Sequence, residues 1–261
     1  MKSALTHSAD ARTHRTMPFP VPALERAAIL LDIDGTILDF APTPSQVEVP
    51  ATLRATLTKL LQRTKGALAL VSGRPLTDID RIFAPLKLPA IGGHGAEIRR
   101  APTSPATHPP LSIDTQLKEE LIAAAGEGIL IEDKGYSIAL HYRLAPKRAG
   151  ALREVVSAIV AEYPHSGVEI LPGKWVIEVK PERFTKGTGI RHLMHDPPFR
   201  GRTPFFIGDD VTDEAAFAML PQFEGIGYSV GRPFKGAAGV FENAFAVRDW
   251  LDRVLDGASA Q

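Results

Sequence analysis

Cysteine is absent from the 261 residues, which removes disulfides, zinc–thiolate centres and thiol catalysis together and agrees with a reducing, cytoplasmic setting. Net charge is absent as well. The 30 basic and 30 acidic residues cancel, so no overall field draws the chain to nucleic acid or to an anionic membrane, and any anionic ligand must be held by local groups. Nor is there an apolar stretch long enough to span a bilayer. Residues 1–22 lack the apolar centre of a secretory signal; they are polar, turn proline-rich at Pro18, Pro20 and Pro22, and are expected to form a loose tail.

The remaining length suits one core domain that carries a smaller second one. Residues 27–32 (AAILLD) form a short continuous apolar run, the pattern of a strand buried on both faces of a parallel sheet. Residues 50–64 place Leu53, Leu57, Leu60 and Leu61 at helical spacing, and residues 66–71 (GALALV) read as a second buried strand. Together they make a β-α-β unit with parallel strands. The pattern resumes at residues 203–207 and 225–230, so the fold class is α/β, with a doubly wound, Rossmann-like parallel sheet. Polar clusters at the strand ends converge in such a sheet even when they are distant in sequence.

Between these halves the texture changes. Residues 129–132 and 136–142 read as a strand pair turning at Lys134-Gly135. Residues 146–162 form an amphipathic helix with Leu152, Val155, Val156 and Ile159 on one face, and residues 175–179 alternate like a half-exposed strand. The expected organisation is a tail over 1–22, a core over 23–108 and 183–261, and an inserted α+β module over 109–182. The proline-rich stretch 102–110 leads into the module and residues 180–185 lead out of it.

Asp32-Ile33-Asp34-Gly35-Thr36 follows the first strand. Two carboxylates two residues apart on extended chain point to one side and can share a cation. Asp32 is then placed to attack a phosphoryl group once a cation cancels the charge repulsion, and Asp34 to move the protons. The same run could instead close an Asx turn. Ser72-Gly73-Arg74 ends the second strand; Ser72 either meets a phosphate oxygen through its hydroxyl and amide or caps the following helix. Lys186, followed by glycine at a helix start, is either a phosphate ligand or a solvated surface charge. In Gly208-Asp209-Asp210-Val211-Thr212-Asp213-Glu214, the carboxylates either favour a helix dipole or gather oxygen ligands for a hard cation.

The order DxDGT, SGR, Lys-Gly, GDDxTDE resembles the haloacid dehalogenase-like phosphatases over nearly the whole chain after residue 25. That resemblance implies a haloacid dehalogenase core with an inserted α+β cap and a Mg²⁺ cofactor. It makes Asp32 the nucleophile and Asp34 the acid/base whose backbone carbonyl also meets Mg²⁺. Ser72, Gly73 and Lys186 would hold phosphate, and Asp209 would be a metal ligand supported by Asp210 and Asp213. Residues 93–97 (GHGAE), 131–136 (IEDKGY) with 140–143 (LHYR), and 173–181 (GKWVIEVKP) resemble stretches of the trehalose-6-phosphate phosphatase family. This implies sugar contacts from Glu132, Lys134, Arg143, Lys174 and Glu178, whose acceptors and donors suit hydroxyls and phosphate, and Arg74 beside Ser72-Gly73 is expected to bind substrate as well. Trp175 is left outside the site, and His94 is read as a structural bridge.

The implied activity is hydrolysis of trehalose 6-phosphate through an aspartyl-phosphate. The chain would act as a stand-alone monomer, with a separate trehalose-6-phosphate synthase making its substrate. Another capped sugar phosphatase, of the sucrose-phosphate or mannosylphosphoglycerate type, and a sugar-phosphate sensor without turnover remain the alternatives.

Overall fold

The computed structural model describes residues 19–20, 22–40, 47–107, 113–173 and 175–257. The opening apolar run is β1 (Ala27–Leu31), buried at every position because both of its faces are covered. α1 (Ala51–Arg63) crosses to β2 (Leu68–Val71), which pairs parallel with β1. α2 (Leu76–Phe83) leads to β3 (Ala90–Gly92), and β4 (Glu97–Arg99) turns back antiparallel to it.

The second half of this sheet comes from far along the chain: β9 (Thr203–Gly208), β10 (Ile226–Val230) and β11 (Gly239–Phe241) give the order β11-β10-β9-β1-β2-β3-β4. β1 and β9 are neighbours, so Asp32 and Asp209, each just past a strand end, emerge side by side. α1, α2 and the C-terminal helix α7 (Ala244–Gly257) cover one face, while α5 (Lys186–Met194) and α6 (Glu214–Met219) cover the other, each over its own apolar cluster.

A second, antiparallel sheet of order β5-β6-β8-β7 is built from β5 (Leu130–Asp133), β6 (Ile138–His141), β7 (Val168–Gly173) and β8 (Val176–Pro181). α3 (Thr115–Ala125) and α4 (Ala149–Ala161) pack on one of its faces around Leu117, Leu121, Leu152 and Val156.

Several expectations need correction. Phe19, assigned to a loose tail, packs its ring 4.4 Å from Tyr228 and 4.6 Å from Phe241, because the end of the sheet beside β11 offers an apolar seat; residues 1–18 and 21 lie outside the described residues. Val155, expected on the buried face of α4, is 43% exposed; Leu152 and Val156, one turn apart, carry that face. Trp175 belongs to the turn before β8, at φ +67°, rather than to the strand. Within the proline-rich stretch, Thr107 pairs with Ile98 in both backbone directions. Residues 108–112 lie outside the described residues.

Candidate active site

The carboxyl ends of β1, β2 and β9 and the first turn of α5 meet in a cleft of about 350 Å³, lined by Asp32, Asp34, Ser72, Gly73, Arg74, Lys186, Asp209 and Asp210 from the parallel-sheet unit and by Glu132, Lys134 and Arg143 from the antiparallel unit. Lys186 is the first residue of α5, whose start is fixed by a reciprocal Thr185–Thr188 capping box. Its ammonium is buried and donates to Asp32 Oδ1 at 2.7 Å and Asp213 Oδ1 at 2.6 Å. Burial works against this charge, yet the two carboxylates outweigh it and raise its pKa, keeping Lys186 protonated. The alternative of a solvated surface lysine is thereby excluded.

Burial pushes the Asp32 carboxyl well above its ordinary value, against the pull of Lys186; Asp213 and Asp209 add to the rise. Thr36 Oγ1 lies 2.9 Å from Asp32 Oδ2 and 3.3 Å from Asp209 Oδ1, so one hydroxyl hydrogen is shared between two acceptors. Gly35 is required here: its φ is +85°, and a Cβ would stand 2.1 Å from Asp209 Oδ2.

Asp32, Asp209 and Asp213 each offer an oxygen within 4.8 Å of the others. Asp209 is pushed up to about 6, first by burial and then by Asp213 and Asp210, with Asp32 and Lys186 pulling the other way. A single ammonium facing three carboxylates leaves repulsion uncompensated. An all-oxygen donor set of that kind fits a hard divalent cation. Asp34 is outside this cluster, for its carboxylate is held by Arg74. Asp213 also accepts from the Asp210 amide at 2.9 Å, while Asp210 itself is exposed and accepts from Val211 N.

Ser72 is buried, and its amide donates to Ile91 O at 2.8 Å within the sheet; of the two donors expected for phosphate, only the hydroxyl remains. Nor does it cap α2: its Oγ accepts from Arg74 N at 3.1 Å, closing a local turn. Gly73 lies against the His94 ring, which a Cβ would meet at 2.4 Å.

In the antiparallel unit, Glu132 accepts from His141 Nε2 at 3.0 Å, which, with Lys134, holds its carboxyl below the usual range against partial burial. Lys134 donates to Glu178 Oε1 at 3.2 Å. Glu178, expected among the sugar contacts, does not line the cleft; it is buried behind Lys134 and also accepts from Ser137 Oγ at 2.6 Å. Arg143 is half-buried at the cleft wall and has no ion-pair partner among the described residues. Lys174 lies outside the described residues.

Phe40, Asp78, His94, Val176 and Thr212 also line the cleft and were not assigned to it from sequence. The hydroxyl of Thr36 and the ring of His94 lay inside quoted motifs, but only the fold reveals what they face. His94 adopts φ +55°, and its ring is 4.0 Å from Glu178 Oε2. Burial and then Lys186, Lys180 and Lys134 lower it to about 3, so it is neutral and this approach is not an ion pair.

Residues 30–239 match the family model described as trehalose-phosphatase. A probable trehalose-phosphate phosphatase of Sinorhizobium fredii is 42% identical over 86% of each chain. The trehalose-6-phosphate phosphatase of Escherichia coli is 35% identical over 87% of this chain and 86% of its own. Among solved structures, a trehalose-6-phosphate phosphatase related protein superposes with a TM-score of 0.70 at 24% identity, over 89% of this chain and 99% of the other. A haloacid dehalogenase-like hydrolase from Bacteroides thetaiotaomicron superposes at 0.67 and 16% identity, over 88% and 99%. These last two establish the fold, a haloacid dehalogenase-like core with its cap, and the first three findings establish that this chain belongs to the trehalose-phosphatase family.

Proposed function

We propose that the chain hydrolyses trehalose 6-phosphate to trehalose and phosphate by way of an aspartyl-phosphate on Asp32. The observation that carries this reading is the convergence on a single cleft of Asp32, Asp34, Lys186 and Asp209 from the parallel-sheet unit with Glu132, Lys134 and Arg143 from the antiparallel unit. The family supplies the substrate class: the relatives are named as phosphatases of trehalose phosphate.

Asp32 attacks phosphorus, and the bond from phosphorus to the sugar oxygen breaks as Asp34 gives that oxygen a proton. Water then attacks the phosphorus, Asp34 takes its proton, the bond to Asp32 breaks and phosphate leaves. Lys186 and the Ser72 hydroxyl are donors to the phosphoryl oxygens. Mg²⁺, held by Asp32, Asp209 and the Asp34 carbonyl, would cancel the repulsion between nucleophile and phosphate. Asp213 positions Lys186, and Asp210 supports the loop that presents Asp209.

The antiparallel unit, over about 109–182, acts as the cap that reads the sugar. Glu132 accepts from hydroxyls and Arg143 donates to them, while Lys134, aimed by Glu178, donates to hydroxyl or phosphate. Phosphate release from a panel of sugar phosphates, with and without Mg²⁺, tests the reading. A preference for trehalose 6-phosphate of at least about tenfold, lost on chelation, is expected; equal turnover of unrelated sugars would overturn the substrate, and metal independence the mechanism.

A further inference from the structure

Glu97 is a buried carboxylate on β4 that takes no part in the chemistry above. Its two oxygens serve different parts of the molecule. Oε2 accepts from the amide of Leu76, the first residue of α2, at 2.6 Å, and Oε1 accepts from the Tyr136 hydroxyl at 3.1 Å. α2 follows Pro75, which has no side chain able to cap it, so Glu97 supplies from another strand the acceptor and negative charge that a helix start favours. Directly before α2 stand Arg74 and Pro75, both lining the cleft, and the Arg74 carbonyl accepts from Gly93 N at 2.9 Å.

Tyr136 stands at the other end of the link. It follows Lys134-Gly135 in the turn between β5 and β6, and the next residue, Ser137, donates to the Glu178 carboxylate that also receives Lys134. The tyrosine is wedged against Gly93, where a Cβ would come within 2.1 Å of its oxygen and where φ is +54°. Burial and the charges of Glu97 and Glu178 push its hydroxyl well above the ordinary value, so it remains a donor.

We infer that Glu97 is a positioning residue that sets the span of the cleft: through Leu76 it fixes the Arg74 loop at the phosphate end, and through Tyr136 it fixes the Lys134 hairpin at the sugar end. This rests on the reading of residues 109–182 as the sugar-reading cap. A substrate bound at both ends depends on that span, whereas a small aryl phosphate bound at the phosphate end alone does not.

The test compares Tyr136→Phe and Glu97→Gln with the unaltered Mg²⁺-loaded enzyme on p-nitrophenyl phosphate and on the sugar phosphate it turns over best. Tyr136→Phe keeps the ring and the helix start but breaks the link; KM for the sugar phosphate should rise about 5–20-fold, the loss of one buried hydrogen bond, with p-nitrophenyl phosphate kinetics within about twofold of the original. Glu97→Gln retains an acceptor for Leu76 and a partner for Tyr136 and should recover most of the sugar-phosphate KM. Equal losses on both substrates, or no change on either, would overturn the inference. A failure of the underlying reading shows separately, as an unaltered enzyme with no preference among sugar phosphates.

Discussion

Arg74 grips Asp34 at two points, Nε on Oδ2 and Nη2 on Oδ1, each at 2.6 Å. With both oxygens accepting N–H donors, Asp34 in this arrangement is set to take a proton rather than to give one. Donation to a leaving sugar oxygen therefore requires Arg74 to withdraw from at least one oxygen, and an incoming phosphate is the anion able to draw it.

Replacing Arg74 by lysine keeps the charge and loses the fork. We expect Arg74→Lys to lower kcat for a sugar phosphate by roughly 10–100-fold, a share of what acid–base catalysis contributes. p-Nitrophenyl phosphate, whose leaving group needs no proton, should lose less. Parallel kcat measurements on the two substrates check this, and equal losses would mean that Arg74 acts on the phosphoryl group instead of through Asp34.

Asp32 and Lys186 should respond unequally to substitution although they touch. Asp32→Asn removes the nucleophile, and turnover should fall by more than about a thousandfold, while Lys186 keeps Asp213 as its partner and stability changes by only about 1 kcal/mol. Lys186→Met leaves two buried carboxylates facing each other, an uncompensated burial that costs about 3–5 kcal/mol. Urea melts of both variants in the absence of divalent cation measure the difference.

The halves of the sheet were legible because apolar runs such as residues 27–32 are too short for a buried helix and fit strands buried on both faces, and the polar clusters after them could be placed from topology. The shorter β3, β4 and β11 leave no mark in the sequence pattern, because three residues of strand, as in Glu97–Arg99, are too few for a periodicity; the six-residue β7 and helices α3 and α7 lie outside the elements expected from the sequence as well. At the site, residue types were readable and partners were not. Nothing local to Ser72 says that its amide is spent on Ile91, and nothing local to Glu178 says that it stands behind Lys134, 44 residues away.

A divalent cation should stabilise the folded chain through Asp209. At a hundred times its dissociation constant, a ligand of the native state alone adds about 2.7 kcal/mol, a rise of several degrees in Tm for a protein of this size. Thermal melts with Mg²⁺ and with a chelator should separate by that amount in the unaltered chain and coincide in Asp209→Asn. Persistence of the full separation in that variant would place the cation elsewhere.

His94 gives the pH dependence a definite direction. Its folded-state value of about 3 lies below the ordinary 6.5, so the unfolded chain binds the proton more readily. The native state has its full advantage above pH 6.5 and loses roughly 1.4 kcal/mol per pH unit below it, until the folded value is reached. From pH 7 to pH 5 this residue alone should cost about 2 kcal/mol. His94→Asn is the suitable comparison, because asparagine tolerates the positive φ and does not titrate. Whatever its effect at pH 7, the variant should lose about 2 kcal/mol less than the unaltered chain between those two pH values in urea melts, since the other histidines are common to both. An identical loss would mean that the ring takes up its proton in the folded state, and that its approach to Glu178 becomes an ion pair in acid.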